Sequence, residues 1–175
     1  MYGSFVLISC CKRAGDAHHV SAPDPEGGGA FRCMKAAAWD ARIDPRTVSL
    51  VQCHTTSTHA GDIAEMLAVR RLLGPATSDA WISATKGTTG HLLSASGSLE
   101  AIFAALSVHE AAIPPMFNLK TLDPELSKGG DGAPLPKFPT GTKPHEWAQK
   151  RRVAIKNSFG SGGSNAAVIF ANYDA

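Results

Sequence analysis

An α/β layer structure with a mixed sheet is the fold class this sequence predicts, on three observations. Short apolar runs of strand character alternate with helical patterns along the first hundred residues. The chain closes on two more such runs, Val153 to Asn157 and Ala166 to Asn172, joined by a glycine-rich turn that reads as a hairpin. Between these regions, Thr89 to Glu110 is apolar nearly all round, the pattern of a core helix or a membrane span. Ser94, Ser96, Gly97, Ser98 and Glu100 interrupt it, which argues against a span and for a central, buried helix that its neighbours approach closely.

Each element has its own signal. Phe5 to Cys11 is a short apolar run with no basic residue before it, so it reads as a buried strand rather than a signal peptide. The turn-rich HHVSAPDPEGGG leads to a helix over Ala30 to Arg42, with Phe31, Met34 and Ala38 on one side, and Asp44-Pro45 stops it. Val48 to Cys53 predicts a second strand, left by the loop HTTSTHAG. Gly61-Asp62 opens an amphipathic helix with Ile63, Met66, Leu67 and Leu73 inward, ended by Gly74-Pro75. Trp81 to Ala84 predicts a third strand. About 120 to 150 is a proline- and glycine-rich irregular excursion of a length usually reserved for functional or mobile loops. One domain over 1–175 accounts for the chain.

Composition narrows the function classes. With 17 basic against 15 acidic residues the net charge is +2, which makes no electrostatic case for nucleic acid or a membrane surface. Cys10, Cys11, Cys33 and Cys53 show no zinc-ligand spacing, and the adjacent pair reads as small buried residues of a reducing compartment. No metal or cofactor is expected.

Three places can carry chemistry. His54 directly follows a predicted strand, where α/β sheets place catalytic side chains, and four hydroxyl residues come after it. Lys86 and His91 stand at the mouth of the apolar helix, whose positive end favours a neutral imidazole that can donate Nε2–H to an oxyanion. A desolvated Lys86 requires a counter-charge, and Glu100 is the nearest in sequence. The glycines of NSFGSGG, 157 to 163, let backbone approach a ligand closely. Singly, each has a commoner structural reading: a strand-end histidine, a surface ion pair, a hairpin turn.

Taken together, CHTTSTHAGDIAE, SATKGTTGHLLSASGSLEAIFAAL and IKNSFGSGGSNAAVIF, with HVSAPDPEGGGAFRCMKAAAWDA upstream, resemble the C-terminal half of a β-ketoacyl-acyl carrier protein synthase. The resemblance covers nearly the whole chain and is weakest over 120 to 150. It implies the C-terminal half of a thiolase-like fold, with the buried helix packed between layers. It implies that His54 and His91 bind the thioester carbonyl and assist decarboxylation of malonyl-carrier, with Lys86 and Glu100 as the buried pair that orders the site. Thr56, Thr58, Phe159, Gly160 and Ser161 are then substrate-binding residues, and an acyl carrier protein bearing a malonyl or acyl thioester is the partner. The wording is similar to mitochondrial and bacterial long-chain members, which implies a mitochondrial matrix location, with the cytoplasm as the alternative.

The departures matter as much. The family's nucleophilic cysteine belongs to the N-terminal half, and none of the four cysteines here sits in its motif. Strand alternation points Cys53 away from His54. Ser161 stands where the family usually has a gating phenylalanine. Gln52, Glu65, Lys156 and Asn165 take the places that line a monovalent-cation site in some relatives, with Lys156 expected to bring its ammonium to Glu65. A lone half would expose the apolar side of 92 to 106, so an N-terminal half or another subunit is expected to cover it. Three functions stay open: part of an active synthase, an inactive half-synthase kept as a structural subunit, or a decarboxylase without condensation.

Overall fold

The computed structural model of the protein describes residues 5–127 and 134–173, with backbone alone for 5–10 and 127. A five-stranded mixed sheet forms the middle layer. Its strands are β1 (Phe5–Gly15), β2 (Leu50–Gln52), β3 (Trp81–Ser83), β6 (Val153–Gly160) and β7 (Ser164–Tyr173), in the order β1-β7-β6-β2-β3. β2 runs parallel to both β3 and β6, while β6, β7 and β1 pair antiparallel. The crossovers are α1 (Gly28–Asp40) and α2 (His59–Leu73). A one-turn α3 (Lys86–Thr89) precedes the central α4 (Ser96–Glu110). β4 (Ala112–Ile113), α5 (Pro124–Ser127) and β5 (His145–Glu146) complete the chain, β4 pairing with β5.

Strand alternation sorts the core into two halves. Val51, Val153, Ile155, Ala167 and Ile169 face α1 and α2, joined by Met34, Ala37, Val69 and Leu73. Leu50, Ala154 and Phe170 face α4, joined by Ala104, Val108, Ile113 and Trp147. Gly27 allows α1 and α2 to approach: its φ is +62°, and a Cβ there would lie 2.2 Å from the Ala64 carbonyl oxygen.

Four expectations need correction. The long helix does not start at Thr89. Gly90 at φ +69° and Leu93 at φ +51° break it, and the continuous helix begins at Ser96. α4 by itself is buried only along Ser96, Glu100, Ala104, Ser107 and Val108; Ile102 and Leu106 on it, and Leu93 before it, are 56%, 49% and 76% exposed, which is the apolar exposure over 92 to 106 expected of a lone half. β1 is an edge strand running on to Gly15, and Cys11 is exposed rather than buried; the Cys10 side chain lies outside the described residues. The excursion is docked where described. Lys137 bridges to Trp81, exchanging backbone hydrogen bonds with Ala80 and Ile82, and Trp147 is fully buried with Nε1 donating to Ser49 Oγ. The remainder of the excursion, 128–133, lies outside the described residues.

Candidate active site

Parity places the first site residue. Cys53 follows Gln52 at the end of β2 and turns into the α1/α2 core, so His54 turns to the α4 side. Its peptide is held from both directions. His54 N and Thr55 N donate to the two oxygens of Glu65, each at 2.9 Å, and Lys86 Nζ donates to His54 O. Lys86 also donates to Glu100 Oε1, and both side chains are buried, at 8% and 1% exposure. Glu100 reaches them because it sits one turn into α4 on its covered stripe.

His91 lies in the break before α4 and is exposed. Its ring stands edge-on to that of His54, with centroids 5.5 Å apart and planes at 83°. Ser96 Oγ accepts from Leu92 N at 2.7 Å and shares a hydrogen bond of 2.8 Å with His91 Nδ1. With the Ser96 hydroxyl as donor to Nδ1, Nε2 is the ring nitrogen that can donate to a ligand.

Both histidines line a cavity of about 800 Å³ together with Thr56, Thr58, Ser158, Phe159, Gly160 and Ser161. Phe159 lies 5.6 Å from the His54 ring, and Thr56 and Thr58 share a hydroxyl hydrogen bond of 3.1 Å. Gly162 and Gly163, with φ of +81° and +70°, turn the β6–β7 hairpin over its rim. Of the expected catalytic and substrate-binding residues, Lys86 and Glu100 stand behind the cavity rather than on its wall, as do Gln52 and Lys156 of the expected cation site.

Electrostatics follow from burial. The His54 pKa is pushed down to about 3, first by desolvation and then by Lys86, Lys156 and His91, so its imidazole is neutral. Burial raises the Cys33 thiol to about 12 and pushes Cys53 well up, so neither is an activated thiolate. Asp62, on the cavity wall, is raised to about 6 by burial and by the nearby Glu65. The sequence reading missed Asp62 as a site residue. Its signal, a carboxylate three residues before Glu65 and so on the same side of the helix, was available.

The expected pairing of Lys156 with Glu65 is wrong. Lys156 Nζ donates to Ser158 Oγ at 2.8 Å and to Asn157 O, and it lies 2.7 Å from Glu100 Oε2, close enough for an ion pair but not aligned as a hydrogen bond. Strand parity is the reason: Lys156 follows Ala154 onto the α4 face, while Asn157 points the other way and donates to Glu65 at 3.0 Å. Gln52 donates to Thr85 Oγ1, and Asn165 donates to Asp16 and Gly163 O. The four residues thus serve different partners. A lysine buried among them supplies positive charge already, so the donor set does not fit an added cation. Among the described residues no three His, Cys, Asp or Glu side chains could hold a metal ion, and no helix is long and apolar enough to cross a membrane.

A mixed sheet between helices, with paired imidazoles at a strand end backed by a buried Lys–Glu pair, defines a thiolase-fold ketosynthase module. Residues 5–120 match the family described as "Beta-ketoacyl synthase, C-terminal domain", and the chain belongs to it. It is 40% identical over 163 residues to 3-oxoacyl-[acyl-carrier-protein] synthase 2 of Staphylococcus aureus strain COL. That match covers 92% of this chain and 36% of the relative, so the chain spans about a third of that protein's length. A type II PKS ketosynthase solved with its acyl-carrier protein superposes with a TM-score of 0.84 at 26% identity, over 95% of this chain and 38% of that one. A β-ketoacyl synthase from Burkholderia phymatum STM815 gives 0.79 at 28%, over 95% and 37%.

Proposed function

We propose that this chain is the histidine-bearing portion of a 3-oxoacyl-acyl carrier protein synthase of fatty acid synthesis, which condenses malonyl-carrier with an acyl thioester and releases carbon dioxide. The observation that carries the reading is the pair of imidazoles, 5.5 Å apart in one cavity, with the His54 peptide clamped between Glu65 and the Lys86–Glu100 pair. When the malonyl carboxylate leaves as carbon dioxide, its bonding electrons stay on the adjacent carbon and spread onto the thioester oxygen. His54 and His91 donate hydrogen bonds to that oxygen without changing protonation. The carbanion then attacks the acyl carbonyl, and the thiolate that carried the acyl group departs.

Cys33 and Cys53 are buried with raised pKa values, so in this reading the acyl-bearing thiolate comes from an N-terminal half. That half seats on the apolar stripe of α4, with Ile102 and Leu106 exposed and Leu99 half-buried. Thr56, Thr58, Phe159, Gly160 and Ser161 contact the thioester arm, and an acyl carrier protein delivers it. The compartment in this reading is the mitochondrial matrix, with the cytoplasm as the alternative.

The test is carbon dioxide release from malonyl-coenzyme A by the native assembly that contains this chain. His54→Ala and His91→Ala are each expected to slow it about a hundred- to a thousandfold. A second reading, an inactive subunit kept for assembly, is favoured by Ser161 in place of the gate and by Lys156 in the core. Mass spectrometry of the purified assembly separates the two. A co-purifying half with its cysteine supports the synthase, and unrelated subunits support the structural role.

A further inference from the structure

Lys156 is the most deeply buried charge among the described residues that the proposed mechanism does not use, at 2% exposure against 9% for Arg70. It is packed against the face of the sheet that carries the site. Its ammonium has donors and no acceptor, so in the 2.8 Å contact with Ser158 the hydroxyl oxygen must accept. The hydrogen of Ser158 is then left to donate elsewhere, and Ser158 lines the cavity shared with His54 and His91. Space around that hydroxyl is kept open from α4. Residue 97 is glycine, and a Cβ there would stand 3.0 Å from Ser158 Oγ. The same ammonium takes the second oxygen of Glu100, whose first oxygen holds Lys86.

We infer that Lys156 is a positioning residue that anchors Glu100, sets one more positive charge beside His54, and turns the Ser158 hydroxyl into a third donor for the thioester oxygen as malonyl decarboxylates. Lys156 brings a second ammonium to Glu100 beside Lys86, and each ammonium opposes protonation of His54. The groups facing His54 are Lys86, Glu100, Lys156, His91, and Glu65 and Asp62 of α2. Burial and Lys86 oppose protonation of His54 most strongly, and Lys156 adds to them in the same direction. A lysine-polarised hydroxyl is also a stronger donor than one solvated by water. The identity of the oxygen rests on the function proposed above; the effect on His54 does not.

Two measurements decide it, made on the polypeptide or assembly that carries residues 1–175. The first follows malonyl-coenzyme A decarboxylation. Ser158→Ala and Lys156→Met are each expected to lower kcat about ten- to a hundredfold with KM unchanged, and the double variant no further than the worse single one. Lys156→Arg is expected to recover most of the rate. The second is an NMR titration of the His54 ring in the free protein, whose midpoint is expected to rise in Lys156→Met and to stay put in Ser158→Ala. Ser158→Ala within twofold of the parent, or losses that multiply in the double variant, would overturn the donor role. An unmoved His54 midpoint in folded Lys156→Met would overturn the charge role. If Lys156→Met does not fold, the same midpoint is read in Lys156→Gln. If the parent releases no carbon dioxide, the proposed function fails, and the His54 titration still decides what Lys156 does.

Discussion

The two faces of the sheet are built on opposite principles. The α1/α2 face is mainly an apolar layer in which Met34, Ala37, Val51, Val69, Leu73, Ile155 and Ile169 leave almost no accessible surface, with the Glu65 carboxylate, held by Asn157, as its most deeply buried charge among the described residues. The α4 face has a smaller apolar cluster and, beside it, three charges out of water: Lys86, Glu100 and Lys156. One side gains its stability from area removed from water. The other holds charges that cost free energy to bury and that stand only while each has a partner. Even the outer surface of α4 is unfinished, since its exposed side is apolar. The first face holds the fold together, and the second holds the histidines.

This contrast can be broken at its most sensitive point first. Glu100→Ala strands two buried lysines and is expected to cost roughly 3–5 kcal/mol in urea unfolding, more than its lost contacts alone explain. Adding Lys156→Met to it should recover part of that loss, because one orphaned charge is gone. On the apolar face Met34→Ala leaves a cavity and costs about 3 kcal/mol, with no change in the pH dependence. Equal behaviour of Glu100→Ala and Met34→Ala toward pH would dissolve the distinction between the faces.

A third prediction concerns pH. The folded-state pKa of His54 lies near 3, below its unfolded value of 6.5. Its contribution is whole above 6.5 and is lost progressively as pH falls toward 3, because the unfolded chain takes the proton first. Asp62 runs the other way: its pKa is raised from 3.8 to about 6, so its contribution is present below 3.8 and is lost as pH rises through 6. Asp62→Asn should therefore stabilise the protein near neutral pH by about 1 kcal/mol, discounting for its partial exposure, and hardly at all near pH 4. Denaturant titrations at the two pH values check the sign.

The smallest stability effect is expected on the outer side of α4. Ile102→Ser with Leu106→Ser should change unfolding free energy by no more than about 0.5 kcal/mol per site. The same pair should lower the mass of the native assembly on size exclusion if another half seats there. A large stability loss with unchanged mass would show instead that these side chains pack within this chain.

Much of this was legible beforehand, for identifiable reasons. The mixed sheet, the closing hairpin and the two crossover helices follow from period-two and period-3.6 patterning in short stretches. His54, His91, Lys86 and Glu100 were nameable because their motifs are contiguous, and the structure brings the two histidines and the ion pair together. The start of α4 was misjudged because an apolar run persists through Gly90 and Leu93, where two positive φ values break the helix. Cys11 was misjudged because apolar character does not say whether a strand is central or at the edge. Ser96, which orients His91, gave no signal beyond being small.

What the sequence by itself determined are the local matters: which segments are strands and helices, which motifs they carry, and that Lys86 could not be buried without a carboxylate. Those depend on residues a few positions apart. Only the tertiary structure decided that Lys156 serves Glu100 and not Glu65. β6 lies beside β2, and its pleat sends residue 156 to the α4 side and residue 157 to the other. A partner choice of that kind is set by the register and parity of strands more than a hundred residues apart, and no local pattern encodes it.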